Sequence, residues 1–147
     1  MPDFEFRPVE PRDHSYCWSI YKEATEPLAT ELKDWNEAAH KRAIDEALTD
    51  AGASILMRNR EAQGWLRIDD TRFDIHLGHL YLEPAARSHG LGGKFMHWMN
   101  DRARRKNKTF TIDVRKNSRA KTFAERLGFR VVRTNGNILR MRLQDGA

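Results

Sequence analysis

The tightest constraint on this chain is a strand-to-helix junction near its middle. Ile75 to Leu82 reads as a strand and Gly92 to roughly Arg104 as a helix, with Arg87-Ser88-His89-Gly90-Leu91-Gly92 between them and Gly93 directly behind. Glycine lacks the Cβ that would block a close approach and tolerates φ > 0. A helix N-terminus adds unpaired N–H groups and a positive dipole end, which suit a phosphate. Two readings follow from these residues alone: a glycine-rich turn that starts a helix, and a backbone cradle for an anionic group.

Composition narrows the setting. A chain of 147 residues with 39% hydrophobic and 32% charged residues is expected to form one domain over residues 1–147 with a single real core. No apolar run approaches the roughly 20 residues that span a bilayer. The start, Met1-Pro2-Asp3-Phe4-Glu5, lacks the regions of a signal peptide, so a cytoplasmic setting and no membrane partner are expected. The single cysteine, Cys17, excludes an internal disulfide and a cysteine-rich metal site, and its apolar helical stripe predicts a buried packing residue. A formal charge of +5 favours anionic partners without choosing among them. The densest basic run, Arg102 to Lys108, falls at a helix end, where cations complement the dipole. It reads first as a solvated terminus and second as a nucleic-acid site.

In chain order, Phe4 to Arg7 predicts a strand, and Asp13 caps a helix to about Glu23 that Thr25-Glu26-Pro27 breaks. The segment to Leu32 reads as a loop or a frayed turn. Asn36 caps a second helix ended by Gly52. Ala53 to Met57, Gly64 to Ile68 and Phe73 to Leu82 are strands joined by polar turns, hence an antiparallel meander. A helix with Phe95, Met96, Met99 and Ala103 on one face follows the glycine loop. Then come a strand at Thr109 to Val114, a helix capped by Ser118 or Asn117 and closed by Gly128, and two strands joined through Asn135-Gly136. The strand–helix–strand unit predicts one parallel pair with a right-handed crossover. The fold class is α/β (α+β): a mixed, mostly antiparallel sheet of about seven strands with about four helices on its faces.

Two motifs carry a resemblance. Leu80-Tyr81-Leu82-Glu83-Pro84-Ala85-Ala86-Arg87-Ser88-His89-Gly90-Leu91-Gly92 is similar to a strand, proline and Arg/Gln-x-x-Gly-x-Gly/Ala pattern. Asn117-Ser118-Arg119-Ala120, then Phe123, then Leu127-Gly128-Phe129, is similar to an Asn-x-x-Ala…Gly-Phe pattern. Together, over nearly the whole chain, they resemble the GCN5-related N-acetyltransferases (GNAT superfamily). The resemblance implies acetyl-CoA, or another short acyl-CoA, as cofactor. It implies pyrophosphate binding by the backbone of Arg87, Ser88, His89, Gly90, Leu91, Gly92 and Gly93, pantetheine pairing with Leu80 and Leu82 on a splayed strand, and a contact from Asn117. The acceptor would be a small-molecule or peptide amine, and a homodimer stays open.

In such proteins the amine attacks the thioester directly, so no nucleophilic Ser or Cys is needed. Two candidate bases lie on the strand before the loop. His76 stands at the position where several relatives carry a Glu or His, and His79 would be favoured by a bulge that flips strand parity. The family's usual acid, a Tyr seven residues after the Asn, is here Ala124. That departure leaves Tyr81, another Tyr or water to protonate the thiolate. It also keeps open a protein that binds acyl-CoA without turning it over. The acidic run from Glu23 to Asp34 reads as a solvated loop, with a weaker hint of a cationic acceptor.

Overall fold

The structure is a computed structural model that describes residues 3–87 and 90–144. Seven strands form one sheet in the order β1-β2-β3-β4-β5-β7-β6. They are β1 (Glu5–Pro8), β2 (Ala53–Arg58), β3 (Glu61–Asp70), β4 (Asp74–Leu82), β5 (Thr109–Arg115), β6 (Phe129–Asn135) and β7 (Ile138–Leu143). Only β4 and β5 pair in parallel, joined by the crossover through α4, and every other pairing among the described residues is antiparallel. The expected mixed sheet is present. Five α-helices are described rather than about four, the extra one being a single turn, α3 (Pro84–Arg87), beside α1 (His14–Glu31), α2 (Glu37–Thr49), α4 (Leu91–Arg105) and α5 (Arg119–Arg126). No helix among the described residues is long and apolar enough to cross a membrane.

The largest departure from expectation is α1, which continues through Pro27 to Glu31 instead of stopping near Glu23. Proline removes one helical hydrogen bond and crowds the preceding turn. The turn beyond it persists because Thr25 and Ala29 are buried, so tertiary packing outweighs local propensity. Asn36 caps α2 as expected, its Oδ1 accepting from Ala39 N–H at 3.0 Å. At α5 the N-cap is Ser118, yet neither Ser118 nor Asn117 caps with its side chain. The Ser118 hydroxyl turns back to the Arg115 carbonyl at 2.7 Å.

The sheet separates two apolar layers. On one face Leu66, Ile75, Leu77, Phe110, Ile112 and Met141 pack with Leu91, Phe95, Met96 and Met99 of α4. On the other, Ala53, Ile55 and Trp65 pack under Cys17 and Tyr21 of α1 and Ile44 and Leu48 of α2. Cys17 is fully buried, as its position in the stripe predicted.

Two irregularities shape β3 and β4. Between β2 and β3 the register steps from Leu56↔Gly64 to Met57↔Ala62, leaving Gln63 as an extra residue. Between β3 and β4 it steps from Arg67↔His79 to Ile68↔Leu77, leaving Gly78 as an extra residue. Gly64, at φ +155, lies so close to β4 that an added Cβ would stand 2.0 Å from the Tyr81 carbonyl oxygen. Because the obstacle is backbone, Gly64→Ala must push β3 and β4 apart and is expected to cost ~3 kcal/mol. A urea midpoint within error of wild type would contradict this close approach.

Candidate active site

β4 and β5 pair only from Asp74↔Thr109 to Leu77↔Ile112. Beyond that point β5 stays paired with β7 while β4 stays paired with β3, and the sheet opens into a V. The opening holds a cleft of about 430 Å³ whose walls include Gly78, His79, Leu80 and Tyr81 of β4, Asp113 and Arg115 of β5, and Gly92 of α4. Tyr21, Thr25 and Leu28 of α1 roof it, and Phe123 and Ala124 of α5 close one side.

The backbone of β4 is turned into this gap in alternation. Glu83 N–H donates to the Gln63 carbonyl at 2.8 Å. Partners recur every second residue in an antiparallel ladder, so Tyr81 and His79 spend their groups on β3 while those of Leu80 and Leu82 turn away from it, Leu80 lining the cleft and the Leu82 carbonyl accepting from Arg87. At its mouth stands the N-terminus of α4. The first helical bond there runs from Lys94 N–H to the Gly90 carbonyl at 3.1 Å, so the amides of Leu91, Gly92 and Gly93 precede the helical ladder. Gly90 caps the helix at φ +72, a left-handed conformation that favours glycine, and a Cβ there would meet nothing within 4 Å. Ser88 and His89 lie outside the described residues. Arg87 spans the mouth: its Nε donates to the Leu82 carbonyl at 3.0 Å and its other nitrogens pair with the Glu23 carboxylate of α1. Asn117 donates from Nδ2 to the Leu28 carbonyl at 3.1 Å and to Glu31 at 3.3 Å, while its Oδ1 is buried without a partner. An acyl-CoA would find open amides, a free strand edge and an orphaned acceptor here, so the residues present fit the group.

The bulge at Gly78 decides where the two histidines go. Strict alternation puts His76 and His79 on opposite faces. The extra residue puts Ile75, Leu77, Leu80 and Leu82 on the α4 face, and His76, His79 and Tyr81 together on the other. Only His79 lines the cleft. His76 sits lower on β4, with Nδ1 2.7 Å from the Thr111 hydroxyl and Nε2 3.0 Å from Asp113. Thr111 gives its single proton to Asp74 at 2.7 Å, so Nδ1 donates to it. Burial raises the Asp113 carboxyl, but hydrogen bonds from His76 and Arg140 prevail and bring it down to about 2. Nε2 lies between the Asp113 carboxylate and an Arg140 nitrogen at 3.4 Å, so both ring nitrogens are engaged outside the residues that line the cleft.

His79 stacks on the fully buried Trp65, rings 5.3 Å apart and 24° from parallel, and its Nδ1 lies 2.8 Å from the Tyr81 hydroxyl. Burial, and then the positive charge of Arg67, push its imidazole down to about 4. The Tyr81 hydroxyl is pushed well above its usual value by burial. A neutral imidazole and a protonated phenol thus stand side by side in the cleft at neutral pH. Ala124 lines the cleft, 1% exposed, and offers no hydroxyl. Cys17 is outside it, its thiol pushed up to about 12 by burial.

Sequence reading missed the support behind the cleft. Asp34, past the end of α1, accepts from Arg115 and from Asn137 of the β6–β7 turn at 2.6 Å each, and its carbonyl is 3.0 Å from Nε2 of His40. The His40 Nδ1 in turn meets the Tyr21 hydroxyl at 2.7 Å. The available signal was β5 itself, where Thr111, Asp113 and Arg115 alternate with Phe110, Ile112 and Val114. Much of the acidic run is partnered within the chain: Glu23 pairs with Arg87 and Asp34 with Arg115, Glu26 shares Lys22 with Glu37, and Glu31 accepts from the Asn117 amide.

The family model described as Acetyltransferase (GNAT) domain matches residues 22–140. The chain belongs to the GNAT acetyltransferase family. A search of curated proteins finds no match. Among solved structures, the PaiA N-acetyltransferase of Thermoplasma acidophilum, in complex with coenzyme A, is 15% identical with a TM-score of 0.71, over 97% of this chain and 99% of that one. PH1933 of Pyrococcus horikoshii OT3 is 16% identical at a TM-score of 0.70, over 98% and 99%. The ribosomal-protein-S18-alanine N-acetyltransferase of Escherichia coli is 17% identical at 0.64, over 95% and 92%. At these identities the GNAT neighbours carry the fold and not a substrate.

Proposed function

We propose that this GNAT protein is an acetyl-CoA-dependent N-acetyltransferase whose acceptor amine attacks the thioester directly. The observation that carries the reading is the V between β4 and β5, with the free amides of α4 at its mouth and a histidine–tyrosine pair on its wall. In this reading Leu91, Gly92 and Gly93 hold the pyrophosphate through their N–H groups, behind the left-handed Gly90. Leu80 and Leu82 pair with the pantetheine arm as a neighbouring strand would. The unpaired Asn117 Oδ1 accepts from that arm, and Arg87 exchanges Glu23 for phosphate. Acetyl-CoA, when bound, supplies the activated acyl group.

The chain's own residues then manage charge and protons. The Leu80 N–H offers a donor to the carbonyl oxygen as negative charge gathers there. His79 serves as the base when its Nδ1 carries the proton and donates to Tyr81, which leaves the Nε2 lone pair free. A weakly basic imidazole suits a late transfer, since the amine nitrogen becomes strongly acidic only as its bond to the acyl carbon forms. The Tyr81 hydroxyl, released from donating to His79, can give its proton to the departing sulfur and recover one from Nδ1. It would replace the hydroxyl missing at Ala124. His76 keeps a supporting place through Asp113. With Cys17 buried elsewhere, no side-chain nucleophile is required.

The buried Ala124 favours a second reading, an acyl-CoA-binding protein without turnover. Calorimetry and a thiol-release assay over a panel of amines separate the two. Acetyl-CoA should bind, and Gly90→Trp, which puts a bulky side chain and a strained φ into the cradle, should weaken binding at least about tenfold. Retained affinity in that variant would refute the loop assignment. Tight binding with no thiol release from any amine would leave the second reading standing.

A further inference from the structure

Helices α1 and α2 cover β2, β3 and β4 on the cleft-opening face of the sheet, and α1 reaches over the cleft to β5, but among the described residues no buried helical side chain packs on the same face of β7 and β6. That face is a strip of arginines. Register places Arg140 opposite Arg133, and Arg142 opposite Arg130, across the β6–β7 pair. Two like charges set directly opposite are unfavourable in a sheet. The strip is also poorly neutralised. Arg140 pairs with Asp113, and Arg130 donates only to the carbonyls of Glu125 and Phe129. Arg133 and Arg142 are exposed and their side chains make no hydrogen bond or ion pair among the described residues. Residues 115 to 144 hold nine Lys or Arg and a single Glu, while the whole chain is only +5. The positive charge is therefore concentrated at this end of the sheet.

The strip adjoins the reactive end of the cleft. Asp113 and Ile138 line the cleft, and Arg140 is the cross-strand neighbour of Asp113. At roughly 4.8 Å per strand, Arg133 on β6 lies about 10 Å across the sheet from β5. That is the reach of about three residues of extended chain. An arrangement that local stability disfavours, placed beside the site and open to solvent, is where a functional demand overrides the fold's own preferences.

We infer that the acceptor is an amine carrying its own carboxylates, held with its nitrogen toward His79 and its carboxylates on Arg133, Arg142 and Arg130. This rests on the acetyltransferase reading above. Guanidinium groups bind carboxylates through two parallel hydrogen bonds, which a neutral amide cannot reproduce. The spacing favours a short acidic peptide whose charged side chains follow its N-terminus. A free dicarboxylic amino acid shares the chemistry with a shorter reach.

The test compares tetrapeptides with an N-terminal alanine followed by three glutamates, three glutamines or three lysines, and free glutamate, in the thiol-release assay. Labelled glutamate peptide is followed by anisotropy in parallel, and CoA affinity by calorimetry. Wild type is expected to favour the glutamate peptide over the glutamine peptide by at least about tenfold in kcat/KM, chiefly through KM, and to lose the preference as salt rises. Free glutamate as the better substrate would assign the strip to a small molecule. Arg133→Gln with Arg142→Gln should abolish the preference, and Arg133→Glu with Arg142→Glu should turn it toward the lysine peptide, with CoA affinity unchanged. Equal rates for the glutamate and glutamine peptides, or a preference that survives both double variants, would overturn the inference. If CoA binds but no amine is acetylated, the acetyltransferase reading fails instead. Arginine-dependent anisotropy would then still uphold the anion site, and its absence would remove it.

Discussion

Replacing His79 with alanine is expected to lower kcat by about 10²- to 10⁴-fold, the usual contribution of a positioned general base. The same change should remove the acidic limb of the kcat/KM profile, which wild type should show at about 4 rather than near 6.5 because burial holds the imidazole down to about 4. His76→Ala, which acts on a residue turned away from the cleft, should leave that limb in place. A His79→Ala enzyme with wild-type rate and profile would clear His79 of the base role. The same shift also bears on stability. The folded-state value lies below the unfolded one, so the unfolded chain binds the extra proton first as pH falls. The stabilisation is complete above about 6.5 and is lost through about 4, on the order of 3 kcal/mol in all. Asp13 and Asp113, both held down to about 2, add a second loss between about 3.8 and 2. Urea midpoints taken from pH 7 to 3 should fall in two stages, and His79→Ala should erase the first.

Trp65→Ala is expected to be the most destabilising single truncation, at ~3–5 kcal/mol. The indole is fully buried between β3 and α1, among Cys17, Tyr21, Ile44 and Ile55. Its Nε1–H donates to the Cys17 carbonyl at 3.0 Å, a bond that ties α1 to the sheet. Truncation opens a cavity under the helix that roofs the cleft and leaves that carbonyl without its donor. For a chain of this length the loss corresponds to a fall in Tm of roughly 10–20 °C. Trp65→Phe, which keeps most of the ring and loses the hydrogen bond, should cost only ~1–2 kcal/mol. The alanine variant should also release His79 from its stacking partner, so activity should drop further than the unfolded fraction explains. A Tm within a few degrees of wild type would mean that α1 is not anchored through this residue.

Much of this was legible in the sequence because it depends on local rules. Periodicity of two and of 3.6 residues located all seven strands and the four longer helices. Asn36 and the Asn135-Gly136 turn named two boundaries by their own stereochemistry. The glycines after Arg87, read with the Asn117 to Phe129 motif, indicate a GNAT fold from local sequence alone. Pro27 misled for the same reason: a local rule predicts a break, and the burial of Thr25 and Ala29 that carries the helix through it is not local.

What only the tertiary structure decided turns on register and neighbours. A single extra residue at Gly78 moves His76 onto the face of His79 and Tyr81; the resemblance allowed for a bulge, but only the register against β3 places it. Strand separation beyond Leu77 depends on which partners β4 and β5 keep, and the pairing of Arg130 with Arg142 and Arg133 with Arg140 depends on how β6 and β7 align. The sequence alone determined that a strand would run into a helix through a turn fit to hold an anion. The tertiary structure decided what stands around that turn, because side chains distant along the chain meet only once the sheet has closed its register.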